Sequence, residues 1–349
     1  MAALNRHAWF GLRSIGKAFF VSSMRWRAVG ALSAIIALLL TLNALNVANS
    51  YVGRNFMTAI ALRDRVQYIR FAILYLGVFA ASAVTGVSQQ FVQDRLALSW
   101  RDWLTQHLLG RYLSGHTFDR ISAKKDIDNP DQRIAEDVHT FTSTLLSFVV
   151  MITNSALTTV AFAGVLWSIS PPLLLTAIVY AAVGSMLTVL LGYRLVALNS
   201  LQLKKEADLR YGLIHVREHR SPLREQDEPQ EARRIHARLQ RVVRNSRAII
   251  GVTRNVGFFT SGYNYLVPIL PIMMVAPLYL RGKIELGVVT QSAMAFAQLL
   301  GAFSLIVAQF QSISTFAAVV RRLSSFWEEM DGTEEGEPQG MRKMSDART

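Results

Sequence analysis

The sequence predicts an all-α membrane protein with six transmembrane helices and long cytoplasmic helical extensions. Three observations carry this reading. Charge is withheld in blocks: Ala28–Gly53, Phe71–Gln93, Val138–Tyr193, Asn255–Leu280 and Leu286–Val320 contain no Asp, Glu, Lys or Arg. Proline is confined to a few places, leaving long tracts in which helices can run uninterrupted. The basic residues are distributed with a strong sidedness. The composition agrees: of 349 residues 51% are hydrophobic and 17% charged, against about 25% charged in soluble domains. Mean hydropathy is +0.27. Neither a disordered chain nor an ordinary soluble enzyme fits these values.

A helix needs roughly 20 mostly apolar residues to cross a bilayer. The stretch Val138–Tyr193 is far longer and is interrupted by Ser170-Pro171-Pro172, so it is two spans. The other four stretches are one span each. With the N-terminus inside, every Lys and Arg falls on the cytoplasmic side except Arg54, Arg63, Arg65, Arg70, Arg281 and Lys283. Both termini are then cytoplasmic, and Tyr51–Tyr68 is an external loop. The net charge of +13 is explained by these inside loops and not by nucleic acid.

Taken in order, residues 1–27 form an amphipathic cytoplasmic or interfacial segment. Trp9, Phe10, Phe19, Phe20 and Trp26 alternate with Arg6, Arg13, Lys17 and Arg25, as in a helix lying among headgroups. A cleaved signal peptide is not expected, because the first apolar run exceeds the 7–15 residues of an h-region. Residues 28–328 are the six-span domain. The Pro-free tract Tyr68–Ser114 would reach roughly 70 Å as a helix, more than twice the hydrocarbon thickness. Its second half sets Leu96, Trp100, Trp103, Leu104 and Leu108 among charges, so span two continues into the cytoplasm as an amphipathic helix. Leu173–Ser221 and Gln230–Val267 extend spans four and five in the same way. Pro268, Pro271 and Pro277 kink span five. Residues 329–349 form a polar tail expected to be disordered. The absence of Cys leaves the redox compartment unconstrained.

Local motifs sharpen the picture. Trp100-Arg101-Asp102-Trp103-Leu104-Thr105, Arg111-Tyr112-Leu113 and Asp128-Asn129-Pro130-Asp131-Gln132-Arg133-Ile134-Ala135-Glu136-Asp137-Val138 occupy the first cytoplasmic loop. Gly257-Phe258-Phe259-Thr260-Ser261-Gly262-Tyr263-Asn264-Tyr265 lies in span five, and Arg322-Leu323-Ser324-Ser325-Phe326 follows span six. Together, over roughly residues 30–328, these resemble the SbmA/BacA-like and subfamily D-like permeases, the transmembrane domain of an ABC exporter-type transporter. The resemblance implies a coupling helix that presses on a nucleotide-binding domain, formed by Asp128, Asn129, Pro130, Asp131, Gln132, Arg133 and Glu136. Read without it, the same residues are a capped helix start: Asp128 or Asn129 as cap and Pro130 at the first helical position.

The resemblance also implies an ATP-binding domain after the Phe326 region. The sequence there is Glu328-Glu329-Met330-Asp331-Gly332 and a polar tail, so ATP would act through a partner subunit and this chain itself holds no cofactor or metal. Gly11-Leu12-Arg13-Ser14-Ile15-Gly16-Lys17 matches G-x-x-x-x-G-K but is followed by Ala18, where Ser or Thr should hold Mg²⁺, and no strand precedes it. A second departure is Arg220-Ser221-Pro222-Leu223-Arg224-Glu225-Gln226-Asp227-Glu228-Pro229, polar and Pro-broken where the family carries an apolar helix. It is either a tolerated surface loop or an altered coupling site.

Polar residues within spans mark function or interhelical contacts. In span six Gln291, Gln298 and Gln309 recur at steps of 7 and 11, within about 20° of one face. With Tyr263 and Asn264 of span five they are the candidate translocation cavity. Thr153, Asn154, Thr158 and Thr159 of span three read better as interhelical hydrogen bonding. Asp102, His107, His116 and Asp119 read as a solvated helix face, and no catalytic or metal-ligand cluster is seen.

Three functions compete. The first is an ABC-type permease half in a bacterial inner membrane, homodimeric, moving peptide-like or other amphipathic substrates with a separate ATP-binding subunit. The second is a proton-coupled SbmA/BacA-type peptide importer, opposed by the lack of acidic residues in the charge-free stretches. The third is an inactive remnant of an ABC transporter.

Overall fold

The computed structural model describes residues 6–113, 130–218 and 228–331, and every regular element among them is helical. We number these α1 (Arg6–Val21), α2 (Arg25–Ala61), α3 (Arg65–Leu113), α4 (Pro130–Ile169), α5 (Pro171–Glu218), α6 (Glu228–Leu280), α7 (Leu286–Ala308) and α8 (Phe310–Asp331). Six of them, α2 to α7, are long and apolar enough to cross a membrane. The expected lengths are met: α3 runs 49 residues, α5 48 and α6 53. Each carries an apolar half that crosses hydrocarbon and a charged half that projects beyond it.

The short connections show how the helices stop and start. Ser170 separates α4 from α5, and Pro171 opens α5 at the position where a missing N–H costs nothing. Between α2 and α3 only residues 62–64 intervene, so most of the expected loop Tyr51–Tyr68 is helix. The reason is local. Arg63 adopts φ 57 and closes a Schellman turn, with Asp64 N–H donating to Ala59 O and Arg63 N–H to Ile60 O. Asp64 then caps α3, its Oδ1 accepting from the N–H groups of Val66 and Gln67 at 3.0 and 3.1 Å. The turn after α6 has the same geometry around Gly282 at φ 69. Helix α6 is continuous through Pro268, Pro271 and Pro277.

The chain divides into two compact units. One contains Met1–Val165 and Gly301–Thr349, the other Leu166–Leu300. In the first, α2 lies along α3, and α1 packs on α8. Its core includes Ile15 and Phe19 of α1, Leu104 and Leu108 of α3, Val138 and Phe141 of α4, and Val320, Leu323 and Phe326 of α8, all fully buried. Phe19 stacks on Trp100 at 5.1 Å, and His107 lies between Trp103 and Trp327 at 5.2 and 5.4 Å. His107, expected on a solvated face, is thus part of an aromatic ladder. The segment Gly11–Lys17 lies within α1, with Ile15 pointing into this core. In the second unit α5 and α6 form an antiparallel pair. In its charged half Asn245 Nδ2 donates to Leu198 O at 2.9 Å and Gln202 Oε1 at 2.8 Å.

Candidate functional site

The first candidate region is the head of α4. Asp128 and Asn129 lie outside the described residues, as do residues 220–227 of the second departure. From Pro130 onward the chain is helical: Pro130–Gln132 is α-helical, Arg133–Asp137 a π-turn, and Val138 onward α-helical again. The segment expected to be a separate coupling helix is therefore welded to span three. The π-turn adds a residue to the turn and offsets the side chains on either side of it. Asp131, Gln132 and Glu136 are exposed, and Gln132 donates to Glu136 at 3.2 Å. Arg133, Ile134 and Asp137 point inward.

The inward side meets α8. Arg322 donates from Nε to Asp137 Oδ2 at 2.7 Å and from Nη2 to Oδ1 at 2.6 Å, a two-pronged ion pair. Arg133 Nη1 donates to the Arg322 carbonyl at 2.9 Å and to Ser325 Oγ at 3.1 Å. The Asp137 hydrogen bond pushes the Arg322 pKa up, outweighing the lowering by partial burial. Two arginines and one carboxylate thus tie the last helix to the start of span three. Arg133, expected on the docking face, is 7% exposed and acts within the chain.

The second region comprises polar groups inside the spans. In the first unit Asn43 of α2 donates to Asn154 Oδ1 at 3.0 Å and accepts from Thr158 Oγ1 at 2.8 Å, the expected interhelical role for span three. Gln93 of α3 accepts from Gln89 at 2.8 Å and donates to Ser147 Oγ of α4 at 3.3 Å. In the second unit Tyr263 stacks on Tyr180 at 4.3 Å. Tyr180 OH donates to Tyr263 O at 2.8 Å, and Tyr263 OH donates to Tyr180 O at 3.2 Å. A Cβ at Gly184 would overlap the Tyr263 ring, so this close packing requires glycine there.

The remaining cavity candidates have different surroundings. Gln291 is buried in α7, whereas Gln298 of the same helix and Asn264 of α6 are exposed. Gln309 sits at the junction of α7 and α8, half-buried, with its carbonyl accepting from Ile313 N–H at 2.9 Å. The helical periodicity that groups the three glutamines is thus not matched by a common environment within one chain.

The membrane architecture and this junction can be set beside known proteins. Residues 15–280 match the family model of ABC transporter transmembrane region 2. The chain belongs to that family. This ABC transporter membrane region is 39% identical over 324 residues to an ABC transporter D family member 2, chloroplastic, of Arabidopsis thaliana, covering 93% of this chain and 46% of the relative. It is 35% identical over 335 residues to an uncharacterized ABC transporter ATP-binding protein of Synechocystis, covering 93% and 51%. It is 23% identical over 311 residues to an inner membrane ABC transporter ATP-binding protein of Escherichia coli, covering 84% and 55%. The chain thus spans about half the length of the curated relatives it matches. The resemblance to subfamily D members read from the motifs holds, and the chain is a multi-pass membrane transport domain.

Within this ABC transporter region, the pairing of Asp137 with Arg322 was not foreseen from sequence. Both residues stood in the motifs that carried the resemblance. The available signal was an acidic pair, Glu136-Asp137, at the edge of a charge-free span and a basic pair, Arg321-Arg322, at the edge of another, each needing a partner if turned inward.

Proposed function

We propose that this chain is the permease half of an ABC exporter-type transporter that acts as a homodimer in a bacterial inner membrane. Both termini are cytoplasmic, and the substrates are peptide-like or otherwise amphipathic. An ATP-binding domain outside this sequence supplies the energy. The observation that supports this best is the head of α4. Exposed Asp131, Gln132 and Glu136 sit on a turn fused to span three, while Arg133 and Asp137 brace that turn against α8. A push on the exposed face is thereby delivered to a transmembrane helix without a flexible joint. Exposed Asn264 and Gln298 fit a polar surface completed by a second copy, since hydrocarbon offers such groups no partner. The proton-coupled SbmA/BacA-type alternative is disfavoured by spans two to six and the core of span one, whose charge-free stretches contain no carboxylate.

Reconstitution with an ATP-binding subunit tests the proposal. Asp131→Lys with Glu136→Lys should cut subunit binding and ATP-dependent uptake at least about tenfold, with the melting temperature unchanged. Uptake that follows a proton gradient and ignores ATP would establish the alternative. A wild-type chain that binds no such subunit would identify an inactive remnant. Cys at position 298 should be water-accessible or cross-link two copies.

A further inference from the structure

The turn between α2 and α3 carries positive charge where three separate preferences oppose it. Between Gly53 and Phe71 the chain holds Arg54, Arg63, Arg65 and Arg70 against a single acid, Asp64. Arg54 is half-buried. Arg63, Arg65 and Arg70 are exposed and make no side-chain hydrogen bond or ion pair among the described residues. Arg63 sits at φ 57, a conformation in which glycine is at ease and which the turn after α6 gives to Gly282. Arg65 opens α3, at the positive end of the helix dipole. This end of the spans is also the one that basic residues otherwise avoid, so sidedness gives no reason for them. Arginine kept here against backbone, dipole and sidedness points to a use for the guanidinium groups themselves.

The apolar residues of the turn indicate what lies against it. Leu62 and Val66 are 74% and 76% exposed, and Ile60 and Ile69 are nearly half exposed. Val66 and Ile69 share a face of α3 with Ile73 and Leu76, which are exposed as well. One apolar stripe therefore runs out of the charge-free stretch and onto the turn. The most apolar stretch of α3 contains no residue buried within the chain, as suits a helix face bathed in lipid. Along the helix Ile69 stands about 3 Å and Val66 about 8 Å beyond Phe71. The headgroup layer is about 5–8 Å deep on each side of the hydrocarbon. The stripe thus ends inside that layer, and Arg63 and Arg65 stand at its outer edge, level with the phosphates.

We propose that this turn is a binding surface for anionic phospholipids. Arg63 and Arg65 meet the phosphates from the aqueous side, and Arg70 reaches up to them from the edge of the hydrocarbon. Leu62, Val66 and Ile69 insert among the headgroups, and the acyl chains continue along Ile73 and Leu76. Guanidinium suits the task, being weakly hydrated and able to hold two phosphate oxygens at once. A zwitterionic headgroup brings its own ammonium to the same arginines, whereas an anionic one adds no positive charge. Asp64 is committed elsewhere, its Oδ1 accepting from the N–H groups of Val66 and Gln67. An acidic soluble partner would match the arginines but not an apolar stripe that passes into the bilayer.

The chain has no Cys, so a single labelled position can test this. The full chain with Val66→Cys, carrying the fluorophore NBD, is placed in phosphatidylcholine nanodiscs with and without phosphatidylglycerol and quenched with acrylamide, which is uncharged. Phosphatidylglycerol should lower the quenching constant about fivefold, the factor for one arginine near an anionic surface. Arg63→Gln, Arg65→Gln and Arg70→Gln together should hold quenching at the phosphatidylcholine level in both discs. A probe at Leu213→Cys, exposed in the charged half of α5, should respond to neither lipid nor variant. Melting temperatures in detergent establish that the triple variant is folded. Equal quenching in the two discs would overturn the proposal, whether the probe is open to water or covered by a second copy. Protection that survives the triple substitution would overturn it as well. Protection by soluble glycerol phosphate added to phosphatidylcholine discs would reassign the surface to a free phosphate ester.

Discussion

Arg322 holds Asp137 by both edges of its guanidinium, at 2.7 and 2.6 Å, across 185 residues of sequence. The carboxylate is 3% exposed and the arginine 46%. A charge that buried requires a partner, so the position of α8 is dictated by the first turn of span three. Arg133 secures the same helix from its backbone side.

Separating this pair should destabilise the first unit. Arg322→Ala is expected to cost about 2 kcal/mol, less than a fully buried pair because the arginine is half in water. A double-mutant cycle with Asp137→Asn, read by thermal unfolding in detergent, should give a coupling of about 1–3 kcal/mol. The raised Arg322 pKa means its contribution is fully present below the ordinary arginine pKa and is lost only as pH rises beyond it. The coupling should therefore be the same at pH 7 and pH 9; a coupling that vanishes between them would contradict the pairing.

The tyrosine pair of the second unit predicts a graded response. Tyr263→Phe keeps the stack and loses one hydrogen bond, about 1 kcal/mol. Gly184→Ala drives a methyl into the Tyr263 ring and should cost more, about 1–3 kcal/mol, because backbone or ring must move. Unfolding of the two variants under identical conditions gives the order, and the reverse order would refute the packing.

The turns after α2 and after α6 differ in one residue that decides their strain. Arg63 occupies the left-handed region where glycine is at ease, and Gly282 occupies it in the sister turn. Arg63→Gly should stabilise by up to about 1 kcal/mol, and Gly282→Ala should destabilise by about the same. Opposite signs in a thermal shift assay are the expected result.

Topology is checked at these same turns. Reporters fused at Arg63, Ser170 and Gly282 should all read external, because the remaining basic residues then lie inside. Position 52, which the sequence suggested as a loop, is inside α2 and unsuitable. Internal readings at two of the three turns would reject the six-span orientation.

Asn43 was silent in the sequence. It is one amide in a long apolar run, and only folding brings Asn154 and Thr158 within 3.0 and 2.8 Å of it. The span-three polar residues were legible because hydrocarbon leaves a polar side chain few choices. The glutamine stripe was less so. A step of seven residues places Gln291 and Gln298 on one helix face, but which neighbours cover each depends on where other helices lie.

The sequence by itself determined the six spans and the long helical extensions, but not their limits: the expected loop Tyr51–Tyr68 is mostly helix, and the stretch Leu286–Val320 is divided between α7 and α8. Hydrocarbon cannot solvate charge or open backbone, so length, apolarity and proline placement leave no second solution. The tertiary structure alone decided what the motif at Pro130–Asp137 does with its inward side. From sequence the same residues read as a docking element or as a capped helix start, and neither reading foresaw that α8 takes Asp137 and Arg133. Local pattern records which face of a helix is polar; the partner for a buried charge comes from a distant part of the chain, and no periodicity encodes that distance.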